Sequence, residues 1–434
     1  MVETIADRLT DAWEGTDRIF EILEPGSWLA QPIALRHPFI FYLGHLPAFA
    51  WNHVSGGVLE RPPFNAAFDE LFSRGIDPDV DDPTQCHDHP EVPDRWPAVA
   101  EVVAYRDRVR EALLGSADAV AARADTHLMA REGRVFSMVI EHELMHQETL
   151  LYMLQRLPLE RKLRPAWLPP YVLGPGRPAD PVEIPAGPAT LGARFDELPF
   201  GWDNEFSALE VHVPTFRVDA TAVTNGQFQA FVEDGGYRRA DLWTDEDWVW
   251  RGHDAVEHPA VWELVDGAWV YRTLFDRLPL DRVADWPVYV SLAEARAFAR
   301  WRGGRLPSEA EFHRAASGPA KGGRPEDGNV GFRHWAPTPV GTHPESASAW
   351  GAQDLVGDGW EWTSTVFAGL PGFTTYIPGY EGYSADFFDG KHYVLKGGSW
   401  ATGAPLVRPS FRNWFQAHYP YVFAKFRCVS DDRR

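Results

Sequence analysis

Apolar residues follow two rhythms along this chain, and the change comes near residue 157. Upstream they recur at helical spacing. Ile5, Leu9, Trp13, Ile19, Phe20 and Leu23 line one side of the segment from Thr4 to Leu23, as an amphipathic helix requires. A second helix is predicted to start at Pro38, a residue suited to the first helical turn. It runs through Phe41, Tyr42, His45 and Phe49, with Pro47 kinking or restarting it. A third fits Ala98 to Leu114. A fourth runs from about Arg134 to Leu157, where Pro158 stops it. Residues 56 to 95 are rich in Pro, Asp and Gly, and Asp77-Pro78-Asp79-Val80-Asp81-Asp82-Pro83 reads as a loop. Four helices with a long second-to-third connection predict a four-helix bundle over residues 1–157.

Proline then takes over. Arg164 to Pro185 holds seven prolines, which predicts a linker, placed at 158–181. Over 182–434 the pattern changes to short β-like runs with many glycines and dense tryptophan. Two helices stand out, Ser291 to Trp301 and one opening near Pro307-Ser308-Glu309. No internal repeat is found. The expected fold class is α+β in two domains.

Composition narrows the function. A chain of 434 residues, 44% hydrophobic and 24% charged, suits a globular protein of two or three domains. A formal charge of −21 argues against nucleic acid or an anionic membrane as partner. Cys86 and Cys428 are too few for a disulfide framework. The N-terminus lacks a signal-peptide pattern, and no apolar run would span a bilayer. A soluble cytoplasmic protein is expected, as a monomer or small homo-oligomer acting on small molecules.

The candidate chemistry lies in His142-Glu143-Leu144-Met145-His146. Histidines four apart project from one helix face and can share a metal; the bland alternative is two satisfied core histidines. His45, in an apolar setting on another bundle helix, favours the metal. Three neutral histidines leave about half an octahedral shell open, which suits Fe(II) with O₂ and substrate. The phrase also matches the zinc-protease pattern with Glu143 as general base. The continuation fails that pattern, with Thr149 and Tyr152 where a glycine and a histidine are needed. Glu148 points off the ligand face and is expected to hydrogen-bond within the bundle.

Four phrases downstream resemble the formylglycine-generating enzyme (sulfatase-modifying factor) fold, a C-type-lectin variant. They are Ala222-Val223-Thr224-Asn225-Gly226-Gln227-Phe228, the run Gly304 to Phe312 with Arg305-Leu306-Pro307-Ser308-Glu309 at its start, the run Asp354 to Thr363 with Gly357-Asp358-Gly359-Trp360-Glu361-Trp362, and Lys396-Gly397-Gly398-Ser399-Trp400. Aldehyde formation in that family uses two nearby cysteines. In the matching phrase Phe426-Arg427-Cys428 only Cys428 is present, with Phe423 at the position considered for its partner. Coupling such a module to a DinB-like bundle bearing His-x-x-x-His-x-Glu resembles the ergothioneine sulfoxide synthases and the selenoneine synthases that share their architecture. Arg36-His37-Pro38-Phe39-Ile40-Phe41-Tyr42-Leu43-Gly44-His45 and Arg74-Gly75-Ile76-Asp77-Pro78-Asp79-Val80-Asp81 look most like the synthase part of the fungal enzymes.

That resemblance implies a non-haem Fe(II) enzyme that joins a chalcogen to imidazole C2 of hercynine (Nα-trimethylhistidine) with O₂. It makes His45, His142 and His146 the iron ligands. It makes Tyr380 the proton donor, with Tyr376 as a weaker candidate, and Tyr383 an imidazole-side hydrogen-bonding group. Asn413 and Trp414, in Arg412-Asn413-Trp414, would hold hercynine; an indole face suits a quaternary ammonium. Phe415 stands where γ-glutamylcysteine-using relatives carry aspartate, and Met145 where they carry glutamine. Cysteine is therefore the expected donor, with a selenosugar as the alternative. A structural Ca²⁺ near Asp358 is open, as is the role of Arg106, Arg108 and Arg110: a solvated face or an anchor for a donor carboxylate. A zinc hydrolase and a non-enzymatic binding protein are the readings from other classes.

Overall fold

The computed structural model describes residues 4–73, 77–78, 86–87, 95–317 and 327–430. The chain divides into two compact units. One comprises Met1–Ala166 together with Asp196–Gly201 and Thr375–Glu381; the other comprises Trp167–Phe195, Trp202–Thr374 and Gly382–Arg434.

The first unit is helical: α1 Ile5–Phe20, α2 Phe39–Trp51, α3 Ala66–Leu71, α4 Val99–Leu114, α5 Ala117–Ala121 and α6 Arg134–Arg156. Local chemistry sets their ends. Thr4 caps α1, its side chain accepting from the Asp7 amide while the Asp7 carboxylate accepts from the Thr4 amide. Every residue of α2 is buried, as expected of a helix apolar on all sides. It packs on α4 and α6, and α1 packs on α6. Pro47 sits inside α2 without ending it. Of the kink or restart expected at Pro47, no restart occurs, and the helix leads into a π-helical stretch over Asn52–Val58; packing on all sides holds the helix across the hydrogen bond that proline removes. The end of that stretch and α3 lie within the long connection expected between the second and third helices. Asp77–Pro78 pairs antiparallel with Cys86–His87, while Arg74-Gly75-Ile76 and 79–83 lie outside the described residues.

The proline-rich segment is fastened along its length rather than slack. Leu163 N donates to Ile22 O at 2.7 Å within the first unit. Within the second, Tyr171 Oη reaches Asp276 at 2.8 Å and Gly176 N reaches Asp285 at 2.8 Å.

The second unit is α+β. Its largest sheet orders the strands Asn413–Gln416, His392–Lys396, Trp360–Val366 and Ala424–Lys425. A three-stranded sheet brings Val182–Ile184 and Val429–Ser430 onto Phe216–Val218, and their inner faces form a core with Ala189, Val213 and Ala315. The expected helices appear as Leu292–Trp301 and Glu309–Ala316, each opened by a serine–glutamate capping box. Asn225–Glu233 and Asp245–His253 are additional helices. Two of the buried indoles find acceptors here: Trp362 Nε1 donates to Val290 O at 2.9 Å and Trp262 Nε1 to Asn225 Oδ1 at 3.0 Å. Glu361 is buried between Lys425 and Arg427, accepting at 3.2 and 3.0 Å.

Candidate metal centre

His45 projects from α2, and His142 and His146 from one face of α6, so packing α2 against α6 brings three imidazoles together. His45 Nε2 lies 3.2 Å and His146 Nε2 3.1 Å from His142 Nε2. Among the described residues these three form the one group of His, Cys, Asp or Glu side chains converging tightly enough to hold an ion. His45 Nδ1 donates to Phe72 O at 2.7 Å, which leaves Nε2 without a proton and fixes the ring. Burial pushes His142 and His146 well below the ordinary histidine range. The other histidines reinforce this at His142, and His45 and the Arg36 guanidinium at His146. Both are neutral near pH 7, the form that ligates.

The spacing suits ligands of a single ion. With metal–nitrogen bonds of about 2.1 Å, nitrogens at right angles stand about 3.0 Å apart and tetrahedral ones about 3.4 Å. The two observed separations, 3.2 and 3.1 Å, fall between these values, the range in which two nitrogens share one ion. Aromatic rings flank the group, with His146 half-buried at its edge. Phe49 stacks on His142 with centroids 3.5 Å apart, Phe41 on His45 at 5.1 Å, and Tyr42 lies 5.5 Å from His146. An apolar shell of this kind limits water access.

Glu143 does not join the nitrogens. Its Oε1 accepts from Thr16 Oγ1 of α1 at 2.6 Å. Burial raises its carboxyl to about 7, opposed by Arg110 and the Thr16 hydrogen bond. The zinc-hydrolase pattern therefore loses its base, and the third histidine comes from upstream. Glu148 is buried outside the group.

Tyr380 belongs to this unit, although it lies far along the chain. Its ring meets Phe49 edge-on at 5.3 Å and His53 at 5.6 Å. Tyr376 commits its hydroxyl to Gly201 O. Tyr383 belongs to the second unit, stacked on Trp202 at 4.1 Å and edge-on to Trp414 at 5.2 Å. The two tyrosines expected to share one site thus sit in different packing units. Trp414 does not offer two open faces: Phe367 stacks on one at 4.3 Å. Asn413 Oδ1 accepts from Trp414 N at 2.9 Å, and Phe415 stacks on Tyr419 at 5.1 Å. Arg412 is buried and bound to Glu309 at 2.9 and 3.1 Å. Met145 is half-buried between the two histidines of α6.

Two of the three arginines of α4 are engaged within the bundle, while Arg108 stays exposed, as expected of a solvated face. Arg106 and Arg110 bind Asp17 at 3.3 and 2.7 Å, and Arg108 lies over the Phe64 ring at 5.0 Å. Near the suggested calcium position, Asp358 Oδ1 accepts from Asn329 Nδ2 and Thr338 N, both at 2.7 Å, so protein donors already occupy it. Cys428 is buried, and burial and Asp219 push its thiol up to about 12, a poor nucleophile. Sequence reasoning missed His53, which burial lowers to about 4. The spacing of His45, Phe49 and His53, four residues apart in turn, was the available signal.

Residues 175–432 match the Sulfatase-modifying factor enzyme 1-like domain and residues 8–150 the DinB superfamily. A hercynine oxygenase from Mycolicibacterium thermoresistibile is 39% identical over 98% of this chain and 94% of that protein. Ergothioneine biosynthesis protein 1 of Neurospora crassa is 31% identical over 98% of this chain, which spans 57% of the fungal protein's length. The formylglycine-generating enzyme of Bos taurus is 32% identical over 44% of this chain and 59% of that enzyme.

Proposed function

The chain belongs to the ergothioneine sulfoxide synthase family, and from that membership we propose that it forms a carbon–sulfur bond at imidazole C2 of hercynine, with cysteine as donor and O₂ as oxidant, at an Fe(II) held by His45, His142 and His146. The observation that carries the proposal is the convergence of three imidazole Nε2 atoms on two buried helices.

Iron bound there would supply activation of O₂ and a coordination position for the thiolate. The chain's residues do the rest. His45, His142 and His146 would hold the iron. Phe41 and Phe49, stacked on His45 and His142, keep water from the site, which protects reactive species from side reactions. Tyr380 holds on its hydroxyl the proton needed as O₂ is reduced. Met145 offers the substrate ring an apolar contact between the two histidines of α6. Asn413, Trp414 and Tyr383 hold the trimethylammonium and imidazole groups of hercynine, and Phe415 disfavours a donor bearing a second carboxylate.

The test is anaerobic loading with Fe(II), addition of hercynine, admission of O₂, and mass spectrometry with cysteine, γ-glutamylcysteine or a selenosugar. A sulfur adduct from cysteine is expected. An adduct from the selenosugar alone would transfer the reading to carbon–selenium bond formation. No adduct from any donor, with iron bound, would refute it.

A further inference from the structure

The glutamate of the His-Glu-x-x-His phrase has a place in the fold that the proposed reaction does not use. Glu143 and Gln147 each follow a candidate ligand by one residue, so they repeat its four-residue spacing about 100° around α6 and face α1. There Thr16 Oγ1 donates to Glu143 Oε1 at 2.6 Å and accepts from Gln147 Nε2 at 3.2 Å. Gln147 Nε2 also donates to Ala12 O at 2.8 Å. Arg110 of α4 brings Nη2 to 3.9 Å from Glu143 Oε1 while its Nη1 binds Asp17. Thr16 and Gln147 are each 1% exposed and Glu143 4%.

Gly15 lets α1 come this close. A Cβ there would sit 2.8 Å from Gln147 Nε2. Glycine inside a helix is less favourable than alanine, so its presence fits a need for close approach.

We infer that Glu143, Gln147 and Thr16 form a latch that sets the rotation of α6 about its axis and so aims His142 and His146. They are positioning residues. Apolar ridges between α1 and α6 would hold the helices together while tolerating a small roll. Hydrogen bonds are directional and do not tolerate it when buried. The roll matters because a ligand atom lies about 5–6 Å from the helix axis, where a turn of about 10° moves it by about 1 Å. Metal ligation tolerates about 0.2 Å. The inference rests on the reading of the three histidines as a metal site.

The test uses the full chain and Co(II) as probe, with affinity measured by chelator competition and coordination by the visible absorption bands. Thr16→Val and Gln147→Leu are expected to fold, by circular dichroism, yet bind Co(II) about tenfold more weakly or worse, with shifted bands. Glu143→Gln keeps an oxygen for the Thr16 hydroxyl and should stay within about threefold of the parent. Should Thr16→Val fail to fold, Gly15→Ala crowds the same latch and should weaken binding. Parental affinity and bands in Thr16→Val and Gln147→Leu, or in Gly15→Ala, would overturn the latch. A loss in Glu143→Gln as large as in Gln147→Leu would overturn it in favour of a role for the charge. A His45→Ala control separates the two failures: if it binds Co(II) as the parent does, the metal reading falls and the latch falls with it.

Discussion

Replacing Gly44 with alanine should weaken metal binding without altering any ligand. Gly44 precedes His45 on α2, and a Cβ there would stand 2.5 Å from Phe72 Cδ2 and Cε2 and 2.6 Å from its Cγ. Phe72 is fully buried, so its ring cannot move into solvent. Carbon atoms rest about 3.5 Å apart or more, so ring or helix must yield by about 1 Å. Overpacking of this kind destabilises by about 1–3 kcal/mol, while exchanging a helical glycine for alanine offsets about 1 kcal/mol. A net loss of about 0–2 kcal/mol is expected. The larger effect is on His45, whose Nδ1 donates to Phe72 O at 2.7 Å. Displacing that carbonyl frees the tautomer and the ring, and losing such a partner weakens metal binding about 10–100-fold. Thermal unfolding of the metal-free protein and Fe(II) titration against a competing chelator read the two effects separately. If the variant unfolds at lower temperature but binds Fe(II) as tightly as the parent, the argument that Phe72 orients His45 is wrong.

Three further outcomes are expected. His45→Ala should abolish stoichiometric Fe(II) binding and any hercynine-dependent O₂ uptake, whereas a zinc hydrolase built on His142, Glu143 and His146 would survive it; retained uptake would contradict the ligand set. Tyr380→Phe preserves the ring packing on Phe49 and His53, so fold and iron affinity should hold while turnover falls by about 10²-fold or more; unchanged rate and product ratio would remove the residue from proton transfer. Burial raises the Asp203 carboxyl to about 6 against the Ser384 hydrogen bond, so the native state binds this proton more tightly than the unfolded chain. The sign follows: that stabilisation is complete below about pH 4 and is lost as pH rises through about 6, a change of at most about 3 kcal/mol. Asp203→Asn should flatten stability across that window in denaturant titrations at fixed pH, and an unchanged slope would refute the assignment.

Elements with local causes could be read in the chain. Thr4 with Asp7, Ser291 with Glu294 and Ser308 with Glu311 are capping pairs three residues apart. The same logic was available in Thr224 with Gln227, which opens the overlooked helix Asn225–Glu233. The π-helical stretch after α2 had no comparable cue, because Asn52–Val58 carries neither caps nor periodicity that distinguishes it from a loop. Arg106 and Arg110 misled for a related reason. Their partner Asp17 lies on another helix, and charge on a helix face reads as solvated until its neighbour is known.

By itself the sequence determined the two-part architecture, most helix boundaries, and the pairing of His142 with His146, because caps and four-residue spacing act within one turn. It also named His45 as a candidate, through the incongruity of a histidine in an apolar helix. Tertiary structure decided the rest. His45 and His142 are 97 residues apart in sequence and 3.2 Å apart in space. Tyr380 joins the helical unit while Tyr383, three residues on, packs with Trp202 and Trp414 in the other. Glu143 turns to Thr16 and leaves the histidines to themselves. Each of these outcomes depends on which helix faces meet when apolar surface is buried, and that is a property of the whole packed chain rather than of any window along it.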